Sequence, residues 1–99
     1  MDFSTSTLWM GNIEKWMTHS FLGELLNAAN IYPKKIIIKN YKIKRSCAFL
    51  EFNSPEMAGY VLTEYNNKIF NGFQFKLNRV HSLEQKYNCS KIIKFTVSL

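Results

Sequence analysis

Between Arg45 and Phe52 the chain alternates in character with a period of two. Ala48, Leu50 and Phe52 fall on one side of an extended backbone, and Arg45, Cys47, Phe49 and Glu51 on the other. The first side is small or apolar throughout and predicts a core face. The second sets a phenyl ring between a thiol and two charged groups. Leu8-Trp9-Met10-Gly11-Asn12-Ile13 has the same design, with Leu8 and Met10 on one side and Trp9 and Gly11 on the other. The pattern then changes to helical spacing. Thr18 is placed as an N-cap, and Phe21, Leu22, Leu25 and Leu26 form one apolar stripe between His19 and Ala29. Lys35 to Lys39 reads as a strand. Ser54-Pro55-Glu56 supplies a cap, a proline at the first helical position and an acid in the first turn of a second helix. Ala58, Val61, Leu62 and Tyr65 give that helix its inward face, and Asn66-Asn67-Lys68 stops it. Asn71-Gly72 marks a tight turn. Phe73 to Arg79 reads as one last strand, with Phe75 and Leu77 inward and Lys76 and Asn78 outward.

The order strand, helix, strand, strand, helix, strand predicts an α+β, ferredoxin-like βαββαβ fold. Its four-stranded antiparallel sheet has two helices on one face and is open on the other. If the first and third strands are neighbours, Trp9 and Phe49 lie side by side on the open face with Arg45 at its rim. Flat rings beside a fixed cation make a stacking platform for unpaired bases. Trp16 is expected to pack beside the first helix. Lys39, Lys42, Lys44 and Arg45 adjoin the platform, either as phosphate contacts or as a solvated loop. Lys76 and Asn78 are placed to hydrogen-bond base edges, and Arg79 to stack or to pair with phosphate.

At these stretches the chain resembles the RNA-recognition motif. That family's strand-three octamer runs Lys/Arg, Gly, aromatic, Gly/Ala, aromatic, aliphatic, any residue, aromatic. Arg45, Ala48, Phe49, Leu50 and Phe52 fit it, whereas Ser46 replaces the glycine and Cys47 replaces a stacking aromatic. The strand-one hexamer (aliphatic, aromatic, aliphatic, any, Asn, aliphatic) is matched by Leu8 through Ile13. Leu8-Trp9-Met10-Gly11, Trp16-Met17 and Phe75-Lys76-Leu77-Asn78 are similar to the first such motif of one subgroup. That subgroup holds the tRNA-selenocysteine-associated protein, plant oligouridylate-binding proteins and yeast splicing relatives. The resemblance covers residues 7–80. It implies binding of single-stranded, uridine-rich RNA in splicing, mRNA or tRNA-related processing, in the nucleus or cytoplasm. Two departures stand out: the loop before the octamer is short and lacks a Thr-Gly turn, and Arg79 stands where an aromatic is common.

Residues 81–99 exceed this plan. A polar linker is followed by Ile93, Phe95, Val97 and Leu99 alternating with polar residues, a further strand pattern. It reads either as a C-terminal addition or as the truncated start of a second domain. The alternative function follows from it: an interaction module whose sheet face is covered by this tail or by a protein partner, or a strand-exchanged dimer through Ile93–Leu99.

Composition narrows the field. The chain has 99 residues, 46% of them hydrophobic, enough for one domain with a modest core. A formal charge of +6 with a pI near 9.5 favours a polyanionic partner. No apolar run approaches membrane-spanning length, and no secretory leader is read at the start. Cys47 and Cys89 lack paired spacing, so neither a disulfide framework nor a zinc site is expected. No paired carboxylates, nucleophile-base arrangement or phosphate-cradling glycine loop is present. Neither an enzyme nor a cofactor is therefore expected.

Overall fold

Thr18 and Ser54 open the two helices as their positions require. Thr18 Oγ1 accepts a hydrogen bond from the backbone N–H of Phe21 at 3.1 Å, and Ser54 Oγ accepts one from Met57 at 3.1 Å. In the computed structural model, which describes residues 6–80, these helices are α1 (His19–Ala28) and α2 (Pro55–Tyr65). The strands are β1 (Thr7–Ile13), β2 (Lys35–Lys39), β3 (Ser46–Glu51), β4 (Ile69–Phe70), β5 (Phe73–Gln74) and β6 (Leu77–Arg79). Four of them form an antiparallel sheet in the order β2-β3-β1-β6. The ferredoxin-like arrangement expected from the chain order is thus the one formed.

Strand alternation sends Leu8, Met10, Ala48, Leu50 and Leu77 into one core, which they share with Leu22, Leu25 and Leu26 of α1 and Ala58 and Val61 of α2. Both helices therefore cover the same sheet face. The Tyr65 hydroxyl donates to the carbonyl of Ala29 at 2.8 Å and ties the end of α2 to the end of α1.

The segment expected as one last strand is divided. Asn71 and Gly72 both have positive φ, 51° and 81°, the backbone of a type I′ turn. That turn folds Phe73–Gln74 back onto Ile69–Phe70 as a separate hairpin. Only Leu77–Arg79 then joins the main sheet, beside β1.

A β-bulge interrupts the β1–β3 ladder. Met10 stands opposite Ala48 but Ile13 opposite Ser46, leaving one extra residue on β1. Asn12 takes it up at φ 59°, a conformation asparagine tolerates, and its side-chain amide donates to the carbonyl of Gln74 at 2.9 Å. Residues 81–99, including Cys89 and the strand pattern at Ile93–Leu99, lie outside the described residues. The expectations for the tail fall there, whereas Cys47, within the described residues, is disulfide-bonded, which corrects the expectation of no disulfide.

Candidate nucleic-acid interface

The sheet face away from the helices is built in rows. Ile37, Phe49, Trp9 and Asn78 stand opposite one another across β2, β3, β1 and β6. One step toward the β2–β3 loop, Lys39 stands opposite Cys47, and the N–H of Gly11 donates to the carbonyl of Lys76 at 2.8 Å. One step the other way, Lys35, Glu51 and Thr7 align. The predicted sidedness of Trp9 and Phe49 is therefore correct, and the two rings are cross-strand neighbours.

Their exposure differs from the expectation. Phe49 is 0% exposed and forms, with buried Cys47 and Val80, the centre of a second apolar cluster against which Trp9, Ile37 and Tyr41 pack. In this arrangement Phe49 presents no surface to a base and packs as a core residue of this face. Trp9 remains partly accessible. Gly11 explains where its indole goes. A Cβ added at Gly11 would meet the Cη2 corner of the Trp9 ring at 2.5 Å. The ring thus leans along β1 over a residue with no side chain, toward the loop end of the sheet.

There it walls a groove of about 740 Å³, shared with Gly11, Tyr41, Lys44, Arg45 and Lys76. Three exposed cations and two aromatic residues thus border one concave surface. Lys39 lies on the same face, one position from the Trp9 row, and exposed Asn78 is the direct neighbour of Trp9. On the far side of that row Glu51 is offset by Lys35 opposite it, so the excess of positive charge lies with Lys44, Arg45 and Lys76 at the loop end. Arg45 reaches Glu14 at 3.5 Å, with both side chains largely in water. An exposed pair of this kind is worth about 0–1 kcal/mol and yields readily to a phosphate.

The loop that carries these cations is held at both ends. Ser46, buried at the position where the family pattern has glycine, donates its hydroxyl to the side-chain oxygen of Asn40. The ammonium of Lys15 donates to the carbonyls of Tyr41 and, at 3.2 Å, Lys44. Neither Lys15 nor Tyr41 carries a signal in the sequence, because both act through the folded loop and not through any strand pattern.

Arg79 is a second correction. It follows Leu77 by two residues in β6 and so faces the helices, with Nη2 only 2.7 Å from where a Gly59 Cβ would stand on α2. Its guanidinium lies under α2, on the opposite side of the sheet from Trp9. Alternation alone would have placed it there. Trp16, expected beside the first helix, touches Phe21 edge-on at a centroid distance of 4.8 Å but is 62% exposed.

No protein-family model matches the chain. It is 34% identical over 80 residues to an uncharacterized RNA-binding protein of Schizosaccharomyces pombe, covering 77% of this chain and 17% of that one. It is 33% identical over 81 residues to the RNA-binding post-transcriptional regulator csx1 of the same organism, covering 75% and 13%. The chain thus spans less than a fifth of the length of either relative. Among solved structures, the third RNA-recognition motif of Mip6 superposes with a TM-score of 0.62 at 18% identity, covering 80% of this chain and 98% of that one. The strand order and the two helices on one face give residues 6–80 the same βαββαβ fold as that solved RNA-recognition motif.

Proposed function

We propose that this domain binds single-stranded RNA in the groove between Trp9 and the β2–β3 loop, with one base stacked on the indole. One observation carries the reading: the accessible Trp9 ring opens onto the same concavity as Lys44, Arg45 and Lys76. Stacking contributes about 1–3 kcal/mol per base, whereas a micromolar complex requires about 8 kcal/mol. With Phe49 withdrawn, one stack leaves most of the affinity to phosphate contacts. Binding by this domain alone is therefore weak and steeply salt-dependent. The subgroup resemblance supports a uridine-rich strand and a role in splicing, mRNA or tRNA-related processing, in the nucleus or cytoplasm.

The test is a fluorescence titration with oligouridylate, with oligoadenylate as the comparison. Trp9→Ala is expected to lower affinity at least tenfold at matched folded fraction, and Lys44→Gln to reduce it with a shallower salt dependence. Unchanged affinity in both variants places the contact elsewhere. A second reading, an interaction module whose sheet face is already covered, is favoured by the burial of Phe49, Cys47 and Val80, which leaves the centre of that face closed to a base. Self-association in light scattering together with no response to any oligonucleotide would select it.

A further inference from the structure

The β2–β3 loop has a groove on each side. Beyond the one walled by Trp9, a second of about 600 Å³ lies between the loop and the β1–α1 connection, lined by Lys15, Trp16, Lys42, Ile43, Lys44 and Arg45. Ile43, Lys44, Arg45 and Ser46 border both. The loop is therefore a ridge over which a flexible chain can pass from one concavity to the other. Ile43, at its crest, is 92% exposed, an unusual place for a large aliphatic side chain.

We infer that the second groove holds a further nucleotide of the same RNA strand, stacked on Trp16, with its phosphates near Lys42 and Lys44; this rests on the Trp9 reading above. Two features favour nucleic acid over an apolar peptide as the occupant. The groove has four basic side chains against one acid, Glu14, which already faces Arg45 at 3.5 Å. It is also continuous with the first groove through shared cationic residues. Trp16 is suited to the task because Phe21 supports it edge-on while most of its surface stays open. A ring held in this way loses little freedom when a base stacks on it.

The chain has two tryptophans, so each can be read separately. Trp16→Phe leaves Trp9 as the reporter, and Trp9→Phe leaves Trp16. Oligouridylates of two to eight nucleotides are titrated into each. Short oligomers are expected to quench Trp9 alone, and Trp16 to respond only as the strand lengthens. Trp16→Ala should weaken the octamer roughly tenfold, about 1.4 kcal/mol, and leave the trimer unchanged. Lys42→Gln, at an exposed loop position that does not threaten folding, should reduce the octamer's log–log salt slope by about 0.7. If Trp9 is quenched and Trp16 is silent at every length, the inference fails and the Trp9 groove stands. If Trp9 is silent at every length, both readings fail. Equal quenching of Trp16 by trimer and octamer rules out one strand crossing the loop and overturns the inference.

Discussion

Phe49→Ala separates a ring that stacks on a ligand from one that holds the sheet face together. Phe49 is 0% exposed, lies between Trp9 and Ile37 across the strands, and packs with Cys47 and Val80. Truncating a buried phenylalanine costs about 3–5 kcal/mol, depending on how far the site relaxes. Trp9 and Ile37 are partly accessible and can close in, which argues for the lower end, about 3 kcal/mol. Small domains have only about 5–15 kcal/mol in total. Urea unfolding followed by tryptophan fluorescence measures the loss. With a slope of about 1–1.5 kcal/mol/M the midpoint falls by roughly 2–3 M. The thermal midpoint falls by about 12–24 °C. Phe49→Leu, nearer in volume, costs under about 1.5 kcal/mol and leaves oligonucleotide affinity unchanged. The reasoning is refuted by the opposite pattern: a loss below about 1 kcal/mol for Phe49→Ala together with a tenfold drop in RNA affinity.

Gly11→Ala sets a methyl group 2.5 Å from the indole corner and drives the ring from its place. The expected result is a shifted emission maximum and about tenfold weaker RNA binding, with stability changed by under about 1 kcal/mol. Arg45→Gln removes an exposed ion pair and should alter the urea midpoint by the equivalent of less than about 0.5 kcal/mol, while lowering the RNA salt slope by about 0.7. Gly72→Ala, at φ 81°, should cost roughly 1 kcal/mol in thermal unfolding, because a side chain there opposes the turn that closes β4 and β5.

What the chain reveals before folding divides along physical lines. The caps at Thr18 and Ser54 are local chemistry, and both helices start where those residues place them. Side-chain alternation is also local, so the shared side of Trp9 and Phe49 is readable from the strands. Exposure is not local. Phe49 is buried by what surrounds it, and Cys47 and Val80 come from opposite ends of the pattern. Arg79 shows a readable signal left unused. Its two-residue spacing from Leu77 sends it toward the helices, and Gly59 on α2 is the space it fills. The hairpin at Asn71-Gly72 was signalled by its turn residues. Its first strand, Ile69–Phe70, is too short to stand out by periodicity. Lys15 carried no signal, since its role exists only when two loops meet.

The bulge at Asn12 has a consequence for anyone comparing this chain with others. Strict alternation from Trp9 through Gly11 would carry Ile13 out to the platform side, yet Ile13 is buried in the helix-side core and stands opposite Ser46. One surplus residue resets the strand's phase, much as a single inserted nucleotide resets a reading frame. An alignment that slips by one position across Asn12 exchanges inside for outside over everything it matches beyond. A gap placed there is therefore a statement about three-dimensional structure and not a cosmetic choice.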